Sequence, residues 1–288
     1  MEFLEALQRS SVLLIGCVAL LGLCVGSLLN VVIHRLPKMM EAGWRAECAA
    51  LEGREPPPAQ PYNLFTPRSA CPSCGTPIRA IHNIPVAGWL MLRGRCAHCR
   101  APISARYPLV ELLGGVVAAL LAWRFGYSPQ LAFGLVFAWA MIALTFIDFD
   151  TQLLPDDITL PMLWLGLLAN LMGTFTDLRS AVLGAVAGYL VLWTVYWGFR
   201  LVAKKEGMGF GDFKLLAAIG AWTGWQVVPA VILISAGLGA VVGSLFLWLA
   251  RRGSDTRIPF GPYLALGGIV ALLWGREIVV AWLGRFPA

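Results

Sequence analysis

The sequence predicts an all-α polytopic membrane protein of about eight transmembrane helices, with one small zinc-binding insert on the cytoplasmic side. Three observations carry that prediction. Of 288 residues, 58% are hydrophobic and 13% charged, with mean hydropathy +0.73; an ordinary soluble domain is roughly 25% charged. Apolar runs long enough to cross a bilayer, about 20 residues each, recur along the chain. A single polar stretch of about 70 residues interrupts them and carries four cysteines in two pairs. The same figures exclude a disordered chain, a coiled coil, a collagen-like repeat and a small disulfide scaffold.

The first run, Ser11 to Ile33, holds 23 residues without a charge. A signal peptide would have a shorter apolar region, a more basic front and a small-residue cleavage site. Here the flank is acidic as well as basic, and the run ends in His34-Arg35-Leu36-Pro37, so a retained helix is expected. Gly22 and Gly26 stand four apart and would allow a close helix contact, unless they are chance glycines in a chain with 31. The insert, residues 37–106, carries thirteen charges and the Pro56-Pro57-Pro58 run. Further apolar segments follow at Tyr107–Trp123, Pro129–Ile147, Ile158–Thr174, Ser180–Phe199, Leu215–Gln226, Val227–Ala250 and Ile258 to about Leu283. Barrel strands would alternate polar and apolar residues, so these are helices. The resulting division is a first span at 1–36, the insert at 37–106 and a seven-helix core at 107–288.

Basic residues set the orientation. With the N-terminus outside, the inner face holds 17 Lys and Arg and the outer face five. The positive-inside rule therefore places the N-terminus outside and the insert in the cytoplasm.

Within the insert, Cys71-Pro-Ser-Cys74 and Cys96-Ala-His-Cys99 are two C-x-x-C pairs separated by 21 residues. Each pair turns two thiolates toward one point, and two such turns close a tetrahedral zinc site. Disulfides are the structural alternative, but the expected compartment is reducing. A closed four-thiolate site has no open position, so its expected role is folding rather than catalysis. His98 reads as a bystander, Cys17 and Cys24 as small packing residues, and Cys48 has no assigned role. The insert's nine basic residues are scattered among four acidic ones with no basic-aromatic stripe, which argues against nucleic-acid binding.

Carboxylates are scarce in the membrane part, and they cluster. Asp148, Asp150, Asp156 and Asp157 join the third and fourth spans; Glu206 and Asp212 lie between the fifth and sixth. In the expected topology Asp148 and Asp212 reach the same depth at the cytoplasmic boundary. Two carboxylates in a partly desolvated place tend to share one proton, which is the arrangement of aspartic-protease chemistry. Gly209 and Gly211 would break the helix and let an extended substrate approach. One of Asp156 and Asp157 is expected as a helix N-cap, Asp150 as solvated, and Glu111 as a carboxylate suited to a helix start. On these residues alone a catalytic pair and an ion-coupled transport pair are level.

The chain resembles the bacterial type IV prepilin peptidases, the bifunctional leader peptidase/N-methyltransferases of the GxGD-type intramembrane aspartic proteases. The resemblance rests on Gly26-Ser-Leu-Leu-Asn30 through His34-Arg35-Leu-Pro37, the paired C-x-x-C insert with Asn83-Ile-Pro85 and Leu92-Arg-Gly94-Arg-Cys96, and Tyr107-Pro-Leu-Val-Glu111. It continues through Asp148 with Pro155-Asp156 seven residues on, Gly209-Phe-Gly211-Asp212, and Pro259-Phe-Gly-Pro262-Tyr263. It implies a bacterial inner-membrane enzyme of pilus assembly and type II secretion. Such an enzyme cuts the basic leader of prepilins and pseudopilins on the cytoplasmic face, after a glycine. It then methylates the new N-terminus from S-adenosylmethionine. By motif position the catalytic aspartates carry over to Asp148 and Asp212, with Asp150 the nearest rival to the former. The resemblance places methylation with the insert, where Gly94 and Leu92–Cys96 are candidates for the cofactor; the alternative is a tight turn presenting Cys96 to zinc. No glycine-rich dinucleotide fingerprint is present. The rival from another class is a proton-coupled transporter using the same aspartates, and a third reading is an assembly protein whose insert docks partners.

Overall fold

The computed structural model describes residues 2–54, 61–204, 208–250 and 259–283. The Pro56–Pro58 run, Glu206 of the second acidic cluster, the expected start of the last span at Ile258, and Lys205, Arg251, Arg252, Arg257 and Arg285 of the charge count lie outside them. Among the described residues the regular structure is helical, with two isolated antiparallel bridges and no strand, and most of 61–79 and 92–105 is turn and irregular backbone. It divides into two compact units, 1–127 and 128–288.

The first unit holds α1 (Glu2–Arg9), α2 (Ser11–Leu51), the short α3 (Ala87–Met91) and α4 (Arg106–Phe125). Ser10 caps α2 by accepting from the Leu13 amide. The apolar run ends near Ile33, but the helix runs on through Pro37 to Leu51. Hydropathy marks where a helix leaves apolar surroundings, not where it stops. Residues 38–51 are rich in Ala, Met and Glu, good helix formers, and Arg45 pairs with Glu41 one turn away. Gly22 and Gly26 do make a close contact. A Cβ on Gly22 would stand 2.5 Å from the Gly114 carbonyl oxygen, and one on Gly26 would stand 2.6 Å from Glu111 Cα. The partner is α4, so by compactness this helix stands with α2, whereas the sequence grouped it with the core from residue 107.

The second unit comprises α5 (Pro129–Thr151), α6 (Asp156–Leu171), α7 (Leu178–Ala203), α8 (Phe210–Thr223), α9 (Val228–Ala250) and α10 (Gly261–Leu283). All eight expected apolar segments contain helices, and among the described residues six are long and apolar enough to span a membrane. The exceptions are α6 with 16 residues and α8 with 14, both short of the roughly 20 needed. Most of α8 is buried, from Asp212 to Trp222 save the half-buried Lys214, among α6, α7 and α10. Fully buried Trp222 donates its indole N–H to the Met162 carbonyl at 2.7 Å and packs on Phe137 and Phe175. Asn170 ties the end of α6 to α8 through the Ala221 and Trp222 carbonyls.

Where α7 crosses α8, Gly184 and Gly220 face each other backbone to backbone, and a Cβ on either would collide with the other's carbonyl. Gly184→Val is expected to lower stability by about 3 kcal/mol, as overpacking does. Thermal unfolding in detergent checks this; an unchanged midpoint would show that the crossing is loose.

Candidate active site

The second unit brings Asp148 and Asp212 together from distant parts of the chain. Asp148 lies in the last turn of α5, which ends when Gln152 takes a left-handed conformation (φ 54°) and donates its N–H to the Asp148 carbonyl. Gly209 precedes α8 in extended conformation, and Asp212 occupies that helix's first turn. Asp148 and Asp212 are 5% and 7% exposed and lie within electrostatic reach of one another. Asp150, two residues on, is exposed and outside this centre.

Both carboxylates stand at helix N-termini, where backbone N–H groups and the helix dipole favour negative charge. Asp212 is within the first turn of its own helix. Asp148 Oδ2 accepts the Gly261 N–H, the first of α10, at 3.0 Å. Leu154, in the loop after α5, fills the space between. A Cβ on Gly211 would come within 2.8 Å of Leu154 Cβ. One on Gly261 would lie 2.6 Å from Asp148 Oδ2 and 3.1 Å from Leu154 Cδ2. Gly211 is thus the second residue of α8 and does not break it; its missing side chain makes room for Leu154. Phe213, buried against Tyr189 and Tyr196 of α7, anchors the turn that carries Asp212.

The other acidic residues separate from this pair. Neither Asp156 nor Asp157 is an N-cap: Pro155 holds that position at φ −57°, and both aspartates follow in the first turn of α6. Proline fixes the entry angle, and no side chain caps the first amides of α6. Asp156 receives Lys214 Nζ on both carboxylate oxygens, at 2.8 and 2.7 Å. Half-exposed pairs of this kind contribute about 1 kcal/mol at most, so this one chiefly braces the start of α8 against α6. The Pro259-Phe-Gly-Pro262-Tyr263 motif marked this stretch without showing that the Gly261 amide meets Asp148, and nothing in the sequence pointed to Leu154. Gly-Pro at the start of the last apolar run is also a common helix opening. Gly261→Ala is expected to displace the Asp148 carboxylate and reduce turnover of the pair at least tenfold, while Gly268→Ala, deeper in α10 against Ile219 and Phe137, leaves it within twofold. Comparing the two turnover rates in one preparation checks this.

In the first unit the four cysteines converge. Sγ atoms of Cys71, Cys74, Cys96 and Cys99 all lie within 4.8 Å of one another, and Cys71 to Cys99 is 3.8 Å. A tetrahedron with Zn–S bonds of roughly 2.3 Å has edges of about 3.8 Å, so the set fits that ion. Two copies of one turn build it. Cys71 N–H bonds the Thr76 carbonyl and Cys96 N–H the Ala101 carbonyl, while Gly75 and Arg100, each following a pair, take left-handed conformations. Cys74 Sγ lies 3.3 Å from Thr76 Oγ1, and this hydroxyl, followed by the Thr76 amide, holds the Cys74 thiol down at about 6. Gly94 also has positive φ (67°); a Cβ there would meet the Trp89 ring at 2.9 Å, and its carbonyl accepts the Ile103 N–H. That geometry matches a tight turn leading into Cys96. Glu111, buried in α4, accepts the Val86 N–H at 2.7 Å.

Residues 20–125 match the Bacterial Peptidase A24 N-terminal domain, and residues 135–244 the Type IV leader peptidase family. Relatives named prepilin leader peptidase/N-methyltransferase occur in Stutzerimonas stutzeri and in Pseudomonas aeruginosa. The first is 52% identical over 280 residues, 97% of each chain, and the second 52% over 284 residues, 98% of each. One from Aeromonas hydrophila is 53% identical over 274 residues, 93% of each chain. No solved structure matches the chain. Nothing in these likenesses favours the transporter reading. With identity at this level along nearly its whole length, the chain belongs to the type IV leader peptidase family.

Proposed function

We propose that this protein cleaves the leader peptide of prepilins with Asp148 and Asp212 as its catalytic residues, and N-methylates the shortened product. The observation that carries the proposal is the convergence of these two buried carboxylates at the N-termini of α8 and α10. The relatives' names supply the substrate class and the two activities.

The chemistry follows from the pair. One aspartate is ionised and takes a proton from water as the water oxygen bonds to the scissile carbonyl carbon. The other gives its proton to the carbonyl oxygen. The tetrahedral intermediate then collapses: the first aspartate passes its proton to the leaving nitrogen, the C–N bond breaks, and the second recovers a proton from the intermediate's hydroxyl. The Gly261 amide holds Asp148 through Oδ2 and orients its other oxygen toward the water. Extended backbone at Gly209 gives an unwound leader room beside Asp212.

The protein is a multi-pass membrane protein, and the excess of basic residues on one set of loops supports a periplasmic N-terminus and a cytoplasmic insert in the bacterial inner membrane. The four cysteines would hold a structural zinc ion. S-adenosylmethionine supplies the methyl group, and we assign its use to the insert, with Gly94 and Leu92–Cys96 as the candidates for contact. Incubating the purified full-length protein with a prepilin and weighing the product tests the proposal. The expected masses are those of the shortened pilin without S-adenosylmethionine and of its methylated form, 14 Da heavier, with it. An intact prepilin after prolonged incubation with folded, monodisperse protein would contradict it.

A further inference from the structure

Between the two C-x-x-C pairs the chain forms a short, largely uncharged segment with exposed apolar side chains. Residues 80–92, between Arg79 and Arg93, carry no charged side chain apart from the titratable His82, and no Asp or Glu occurs from residue 56 to 110. The segment folds as a 3-10 turn (Ala80–Asn83) followed by α3, packed so closely that a Cβ on Gly88 would collide with the His82 carbonyl. Four apolar side chains along it are open: Ile81 53%, Ile84 48%, Leu90 60% and Met91 58% exposed.

Two features set its depth and its tolerance of lipid. The turn between the two helical pieces is held by Glu111, which accepts the Val86 N–H and keeps that residue at φ 61°, a conformation unfavourable for a β-branched side chain. Glu111 is five residues inside α4 from Arg106. At 1.5 Å per residue it is about 7 Å below the polar end of a spanning helix, the depth at which interfacial segments lie. From Val86 onward the segment's amides are largely paired. The N–H of Val86 bonds Glu111, and those of Ala87, Gly88, Leu90, Leu92, Arg93 and Gly94 bond carbonyls of residues 84–90. A segment whose amides are already paired loses little on leaving water. Tyr107, 45% exposed at the head of α4, is the kind of residue found at that boundary.

We propose that residues 80–92 lie in the bilayer interface, with Ile81, Ile84, Leu90 and Met91 among the upper acyl chains and Arg79 and Arg93 against anionic lipid phosphates. The occupant of this apolar face is lipid rather than protein, because Glu111 ties the segment to a helix long and apolar enough to span a membrane, near that helix's polar end, and the segment's ends are cationic without a neighbouring carboxylate in sequence. It positions the cysteine knuckle against the membrane.

The test uses the full-length protein in nanodiscs of phosphatidylethanolamine and phosphatidylglycerol. The photoreactive residue p-benzoylphenylalanine replaces Leu90 and, separately, Met91, Leu120 on the exposed face of α4, or Ser73 at the exposed knuckle. Lipid adducts are counted by mass spectrometry. Adducts at 90 and 91 approaching those at 120 and at least fivefold above those at 73 are expected. Arg79→Glu with Arg93→Glu should lower them severalfold in phosphatidylglycerol and leave them unchanged in phosphatidylcholine. Adducts at 90 and 91 no more frequent than at 73, or transferred to an added prepilin, would overturn the proposal. Two exposed probe positions keep the result independent of how either single variant folds.

Discussion

Asp148→Asn and Asp212→Asn are each expected to reduce prepilin cleavage by roughly a thousandfold or more, within the range that one positioned acid or base contributes. Asparagine keeps the size of the side chain and its capacity to accept from the Gly261 amide, so the second unit should fold as before. What it removes is proton exchange. Methylation of a pre-cleaved pilin is expected to survive in both variants, because the assigned methyltransferase residues belong to a separate compact unit. Asp150→Asn, at an exposed position on the same helix, should leave cleavage within about twofold, as surface substitutions usually do. Mass spectrometry of both reactions on the same preparations checks all three. Full cleavage by either buried-aspartate variant would remove that residue from the mechanism, and loss of methylation in both would show that the two activities share a site.

The second large effect is expected at the cysteines. Purified wild type should carry one zinc ion per chain, and Cys71→Ser or Cys96→Ser should carry none. A four-thiolate zinc site is worth on the order of 10 kcal/mol, more than a segment of this size gains from its sparse core. Most of residues 61–85 are exposed, so little else holds the two turns. The variants should therefore be cut within the insert at protease concentrations that spare wild type, and be recovered in lower yield. Acidification should release zinc as protons compete for the thiolates. Cys71→Ser protein that lacks zinc yet matches wild type in yield and protease resistance would show that the site is not structural.

Much of this was legible in the sequence, for identifiable reasons. Long apolar runs in so hydrophobic a chain give helices, so all eight segments were found, the two too short to span a membrane included. The C-x-x-C spacing defines a local turn, and two such turns meet with little help from the rest of the chain. Asp148 and Asp212 stood out because a carboxylate among apolar residues is costly unless it has work to do. What escaped was information carried by backbone or by partners. The Gly261 amide that holds Asp148 has no side-chain signature. The continuation of α2 beyond Pro37 is invisible to hydropathy because the added turns are polar. Gly211 read as a helix breaker, whereas it marks the place where Leu154 approaches α8. The pairing of α4 with α2 depended on Gly114 and Gly115 meeting Gly22 and Gly26, a match of surfaces that only three dimensions display.

The central claim is that the two aspartates act as one unit, and a double-mutant cycle tests it most directly. Single-turnover cleavage rates would be measured for wild type, Asp148→Asn, Asp212→Asn and the combined variant. Groups that act together are non-additive, so the double variant should be no more than about threefold slower than the worse single variant. Losses that multiply, or a double variant that still cuts at a substantial fraction of the wild-type rate, would contradict a shared catalytic pair.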